Sequence, residues 1–362
     1  MSAANVTSST PAKKRIVVIC PGRGSYTKET LRYLEKAKGE ASPAMRDHLI
    51  GFVKDLDEKR DLLNELTITE LDSAETFKPQ IHTKGEHASP LIYACSYADF
   101  QLINRDKYEI AAVCGNSMGW YLTLAFAGAL SRDAAFTLIQ TMGSMMKEKI
   151  IGGQIIYPII DENWFMSESK RRTVFHHIEA VNASGAGRVE LSIELGGYLV
   201  IGGDSGGLQA LMKALPKEGD YPFQLINHAA FHTSLLRETS EKAFASLGQD
   251  LFQKPMLPMI DGRGAIWQPY STRVDSLYEY TLGHQVYAPY DFTKSVTVAL
   301  KEFCPDNIVL LGPGSSLGGS IGQILIQNKW QNITSKADFV ERQKKDPFLL
   351  AMGLQDQRKL MR

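Results

Sequence analysis

The chain lacks several features that mark large protein classes. Its 362 residues hold only four cysteines, Cys20, Cys95, Cys114 and Cys304, with no CxxC pair. That scatter argues against a zinc site and a disulfide framework, and it suits a reducing cytoplasmic setting. Net charge is missing as well, since 40 Lys and Arg balance 40 Asp and Glu. Such a balance implies neither nucleic acid nor an anionic membrane as a bulk partner. No apolar run approaches the roughly 18 residues of a membrane span. The longest, Trp120 to Leu130, is interrupted by Thr123 and Gly128. Residues 1–14 are polar, without the apolar stretch of a secretory signal, and read as a disordered N-terminal tail. The run Gly312 to Gly322 lacks the Lys-Ser/Thr of a phosphate-cradling loop, so close packing is the better reading.

Short β-branched runs broken by glycine and separated by helical stretches are what the sequence does contain. Arg15 to Cys20 (RIVVIC) reads as a buried strand that feeds a turn, Pro21-Gly22-Arg23-Gly24-Ser25. Charges at helical spacing predict helix over residues 27–75. Pro90 to Ile103 predicts a buried helix with Pro90 in its first turn. Ile110 to Cys114 is a second short strand, and Ser131 caps a helix that runs to about Lys149. Residues 152–222 read as strand, helix, two strands, helix and closing strand. That βαββαβ order predicts a small inserted subdomain of ferredoxin-like type. Asn307 to Leu311 is a further strand, and residues 341–362 read as a C-terminal tail.

The strongest local signal is Gly115-Asn116-Ser117-Met118-Gly119 between a predicted strand and a predicted helix. On such a turn a serine hydroxyl projects from the sheet edge while the glycines let the backbone bend. The following helix offers unpaired N–H groups and a positive dipole end to an oxyanion. A serine needs a base to act as a nucleophile near neutral pH. Among the eight histidines, His228 and His232 lie on a loop of the expected kind, and spacing alone does not separate them.

Taken in order, Pro21 to Ser25, Gly115 to Gly119 with the following WYLTLAFAGALS, Ala230 to Leu236, Gln285 to Pro289 and Leu311 to Gly314 jointly resemble segments of malonyl-CoA:acyl-carrier-protein transacylases and the acyltransferase domains of fatty-acid and polyketide synthases. Pro21 to Ser25 resembles their PGQGSQ opening. Gly115 to Gly119, continuing as WYLTLAFAGALS, resembles GHSLGEYAALVAAGALS. Ala230-Phe231-His232-Thr233-Ser234-Leu235-Leu236 is similar to AFHSPLM, Gln285-Val286-Tyr287-Ala288-Pro289 to QLYNPV, and Leu311-Gly312-Pro313-Gly314 to EVGPG. The resemblance implies an α/β-hydrolase-like core over residues 15–151 and 223–340, with the ferredoxin-like insert between. It implies Ser117 as nucleophile and selects His232 as its base, with Gln285 supplying the backbone carbonyl that orients the ring. The N–H groups of Met118 and Arg23 become the oxyanion hole. Asn116, Trp120, Met142 and Phe231 become substrate-binding positions. The substrates implied are acyl-CoA and the phosphopantetheine thiol of an acyl carrier protein, with no metal and no resident cofactor. A monomer or loosely synthase-associated subunit is the expected setting.

Four positions depart from the family pattern. Asn116 replaces a histidine, Trp120 an acidic or amide residue, and Arg23 a glutamine. Met142, in Met142-Gly143-Ser144-Met145-Met146, replaces the arginine that pairs with a malonyl carboxylate. Losing the partner of a buried carboxylate is costly, and methionine suits an uncharged acyl chain. Malonyl specificity is therefore in doubt, with the Arg23 guanidinium as an alternative source of the charge. An acyl hydrolase on the same Ser-His pair and a catalytically weak scaffold subunit are the competing readings.

Overall fold

A computed structural model describes residues 12–362, so most of the tail expected over residues 1–14 lies outside the described residues. In chain order the strands are β1 (Lys14–Cys20), β2 (Tyr108–Gly115), β3 (Gly153–Pro158), β4 (Val189–Leu195), β5 (Tyr198–Gly203), β6 (Phe223–Gln224), β7 (Met259–Ile260), β8 (Ile266–Trp267), β9 (Tyr290–Asp291), β10 (Asn307–Leu310) and β11 (Leu349–Ala351). They form two sheets in a mixed α/β architecture.

The larger sheet has the order β11-β10-β1-β2-β7-β8. All its pairings are parallel except β7 with β8. Ile16 to Cys20 of β1 are fully buried, as expected for a central parallel strand covered on both faces. Cys20 pairs with Gly115, so β1 and β2 end side by side. The turns that follow, Pro21 to Ser25 and Asn116 to Met118, therefore leave the same sheet edge together. Crevices at the carboxyl ends of parallel strands are the usual place for a ligand in such sheets.

The smaller sheet has the order β6-β3-β5-β4-β9. Its pairings are antiparallel except β4 with β9. Helices Glu168–Ser184 and Ser205–Ala214 cover one face through a cluster that includes Val174, Ile178, Leu208 and Leu211. Ile193 and Val200 belong instead to the main core. β9 comes from the later part of the chain and ties this sheet to the main body.

Two elements differ from the sequence expectation. Helix Gly85–Leu102 starts five residues before Pro90, which therefore lies inside it. An internal proline leaves the carbonyl four residues back without its helical donor. Here the Glu86 carbonyl accepts from Arg60 Nη1 at 2.9 Å and Gln140 Nε2 at 3.5 Å, so two neighbouring helices fill the gap. Residues 341–362 are not a tail. β11 extends the main sheet, and Arg358 reaches the buried Asp99 at 3.1 Å. The apolar triplet Leu349-Leu350-Ala351 carried the strand signal but was too short to read with assurance.

Candidate active site

Ser117 sits at φ +55°, in the left-handed region that non-glycine residues rarely adopt. The turn around it is closed by backbone bonds. Asn116 N–H donates to the Cys20 carbonyl at 3.1 Å, and Gly119 N–H to the Asn116 carbonyl at 2.8 Å. A Cβ on Gly119 would lie 2.5 Å from the Cys20 carbonyl oxygen. Glycine is thus required by the close approach of β1. Helix Gly119–Phe126 follows at once. Strain of this kind costs about 1–3 kcal/mol and persists only where the surroundings over-determine it.

The serine hydroxyl is 2.7 Å from His232 Nε2. His232 is itself held at φ +62°, and its ring is buried. Its Nδ1–H donates to the Gln285 carbonyl at 2.6 Å, and its backbone N–H donates to the Val286 carbonyl at 2.8 Å. Both carbonyls belong to the short helix Gln285–Tyr287, whose last C=O groups have no helical donors. A wide π-type turn at Tyr280–His284 precedes that helix. The base is thus oriented by a helix C-terminus rather than by a carboxylate. The Gln285 side chain does something else. Its Nε2 donates to the Ser117 carbonyl at 3.1 Å, and its Oε1 accepts from Tyr121 Oη at 2.9 Å.

Burial is the main influence on His232 and lowers its pKa to about 4, while the bond to Gln285 works the other way and His284 adds to the lowering. At neutral pH the ring is a free base with Nε2 open to the serine proton. The N–H groups of Met118 and Arg23 have no hydrogen-bond partner among the described residues. Both residues line the same cavity, of about 280 Å³. Two unpaired N–H groups flanking a nucleophile are the makings of an oxyanion hole.

The cavity is also lined by Met142 and Gly143 and, from the smaller sheet, by Gln154, Ile156 and Leu195. Asn116 and Phe231 also line it. Asn116 Oδ1 is buried without a partner among the described residues. Arg23 is half-buried. Its guanidinium donates to the Asn227 carbonyl, and its pKa is lowered by burial to about 10, with Glu86 opposing the shift. It stays cationic at neutral pH.

Trp120 departs from the expected substrate contact. It is fully buried, donates from Nε1 to Thr281 Oγ1 at 3.0 Å, and meets Tyr280 edge-to-face at 5.2 Å. One helical step turns it about 100° from its neighbour, so Tyr121 faces the cavity and Trp120 faces away. Tyr121 was missed, although Met118 and Tyr121 are three positions apart at the start of the helix and so share one face. Gln154, His228 and Ser89 were also missed as lining residues. They come from segments far apart in sequence and carry no motif. Among the described residues no group of three or more His, Cys, Asp or Glu side chains is placed to hold a metal ion. No helix among them is long and apolar enough to cross a membrane.

The structure thus brings a strained serine at a strand–helix turn, a buried histidine within hydrogen-bond reach of it and two unpaired N–H groups to one cavity. Solved structures agree on the fold. The chain is similar to FabD from Acinetobacter baumannii, with TM-score 0.71, 19% sequence identity and 96% of each chain covered. It is similar to malonyl-CoA:ACP transacylase from Synechocystis sp. PCC 6803, with TM-score 0.70, 16% identity, and 96% of this chain and 99% of that one covered. A third likeness is to PlMCAT, a malonyl-transacylase solved in complex with AntF, its type II PKS acyl-carrier protein; TM-score is 0.71, identity 18%, and coverage 96% and 99%. No family model matches the sequence, and no curated protein matches it. The chain therefore has the malonyl-CoA:acyl-carrier-protein transacylase fold, the one the five sequence segments resemble.

Proposed function

We propose that this chain transfers an acyl group from a CoA thioester to the phosphopantetheine thiol of an acyl carrier protein, in fatty-acid or polyketide synthesis. The observation that carries the reading is the continuous relay from Ser117 Oγ through His232 to the Gln285 carbonyl. In the first half-reaction His232 Nε2 takes the serine proton as Oγ attacks the thioester carbonyl. The oxyanion sits between the N–H groups of Met118 and Arg23, donors worth about 3–4 kcal/mol each when well placed. The C–S bond then breaks, and the imidazolium returns its proton to the departing CoA thiolate. The second half repeats these steps in reverse with the carrier thiol as nucleophile. No resident cofactor is needed. The insert, with its strand order β6-β3-β5-β4, is read as a ferredoxin-like subdomain that closes the acyl side of the cavity.

Intact-protein mass spectrometry after mixing with malonyl-, acetyl- and longer acyl-CoAs tests the proposal. An acyl adduct on Ser117 that is discharged by a holo acyl carrier protein is the expected result. An adduct lost equally fast to water alone would make the chain a hydrolase. No adduct with any thioester would leave a scaffold role.

A further inference from the structure

The cavity also holds a donor and an acceptor that the proposed acyl-transfer chemistry does not use. Among the described residues Arg23 is the only permanently charged side chain lining the cavity. Among the described residues its guanidinium makes one hydrogen bond, to the Asn227 carbonyl, and no ion pair. It packs into the notch left by two glycines. A Cβ on Gly85 would lie 3.0 Å from Arg23 Nη1, and Gly85 is itself pressed against Gly143, the neighbour of Met142. The remaining guanidinium N–H groups have no hydrogen-bond partner among the described residues, and Arg23 and Met142 line the same cavity.

His228 lies beside it, and its tautomer follows from its neighbours. The Phe231 carbonyl accepts from Ser192 Oγ at 2.9 Å and from Gln154 Nε2 at 3.3 Å, while Ser192 Oγ accepts from Gln154 Nε2 at 2.7 Å. The Gln154 amide can satisfy both only with its NH₂ toward them. Its Oε1 therefore faces His228 Nδ1, at 3.0 Å, and that nitrogen must carry the proton. In the neutral ring Nε2 is a bare acceptor without a partner among the described residues. Burial and the Arg23 cation both hold His228 well below its ordinary pKa. The titratable groups around it are the Arg23 cation, Glu86, which acts on Arg23, and the neutral ring of His232 four residues on.

We propose that Arg23 and His228 are specificity-determining residues that select an acyl group with an oxygen-bearing head, and that His228 takes up a proton when that head is a carboxylate. The inference rests on the acyl-transfer reading of Ser117. A hydroxyl head accepts from Arg23 and donates to Nε2 of the neutral ring. A carboxylate also accepts from Arg23 but meets the Nε2 lone pair, so it binds well only with that nitrogen protonated. A plain alkyl chain answers neither group and leaves both desolvated.

Malonyl-, 3-hydroxybutyryl- and butyryl-CoA separate the cases. In the Ser117→Ala protein, calorimetry reads binding without turnover, and buffers of different ionisation enthalpy read proton uptake. Butyryl-CoA should bind least well. Malonyl-CoA should bind with uptake of about one proton and 3-hydroxybutyryl-CoA with none. Adding Arg23→Met should narrow the preference for oxygen-bearing heads over butyryl by roughly thirtyfold or more. His228→Asn keeps an N–H toward Gln154, so it should abolish the proton uptake and flatten the pH dependence of malonyl binding above neutrality. An unchanged preference in Arg23→Met, or uptake that survives in His228→Asn, would overturn the inference. Acylation of Ser117 is scored separately, so failure of the transferase reading remains distinguishable from failure of this one.

Discussion

The two ends of the cavity are built by different means. At the catalytic end the important atoms belong to the backbone or are fixed by it. Two residues are held at positive φ, two carbonyls end a helix, and two N–H groups start others. At the acyl end the atoms belong to side chains. Arg23 comes from the short 3-10 turn after β1, Met142 from a helix, Gln154 from the smaller sheet and His228 from the return segment. Backbone-built chemistry tolerates change in side chains around it, whereas side-chain-built recognition is rewritten by single substitutions. Arg23 and Met142, two positions where the sequence departs from the pattern it resembles, both contribute side chains to the cavity.

Several measurements break or sharpen this contrast. The largest effect is expected of Ser117→Ala, the one side chain at the catalytic end that forms a bond. It should remove the acyl adduct and lower turnover by roughly 10⁴-fold or more; unchanged turnover would remove Ser117 from the mechanism.

Acid stability probes both ends at once. The folded pKa of His232 lies near 4, below its ordinary value of 6.5, and His228 is shifted the same way. Between those values the unfolded chain binds more protons than the folded one. Stability should hold above about pH 6.5 and fall as pH drops toward 4, by about 3 kcal/mol for His232 alone. Denaturant titrations at several pH values read the slope, and a flat profile across this window would contradict buried neutral rings.

Gly119→Ala attacks the catalytic backbone directly. The added Cβ meets the Cys20 carbonyl, so a loss of about 1–3 kcal/mol in unfolding free energy is expected, together with reduced acylation. Gln285→Ala should cost only about tenfold in kcat, because the carbonyl that holds His232 survives the change and only the braces to Ser117 and Tyr121 go. A loss as large as that of Ser117→Ala would show that the side chain, and not the carbonyl, does the orienting. Smallest is Trp120→Phe. It removes the bond to Thr281 at a cost of about 1–2 kcal/mol in stability, and the ranking of acyl-CoAs should not move.

The same division explains what could be read in advance. Glycines flanking a serine between an apolar run and a helical stretch report a backbone constraint, and such constraints are local in sequence. Ser117, Met118 and the turn after β1 were therefore legible. His232 could not be separated from His228 by spacing, because both lie on one loop and only the fold decides which ring meets Ser117. The acyl end was largely illegible. Gln154 and His228 are 74 positions apart and share a hydrogen bond only once the smaller sheet has formed. Trp120 was misjudged because likeness at a motif position says nothing about which way a helix is rotated. In the fold, the misread parts were short or compensated. β11 has three residues, and Pro90 is tolerated because Arg60 and Gln140 satisfy the carbonyl it strands.

Holding His232 by main-chain carbonyls has a further consequence for which bonds the site can cut. A buried carboxylate beside the ring would raise its basicity and steady the imidazolium formed during attack. Neutral carbonyls do so less, and burial leaves the ring a weak base near pKa 4. A weak base suits a substrate whose carbonyl is already activated and whose leaving group departs with little help. Thiols, with pKa near 8.5, leave readily as thiolates; amines and alkoxides do not. In the proposed reaction the burial of the ring, only partly offset by its neutral carbonyl partner, thus favours thioesters over amides and alkyl esters.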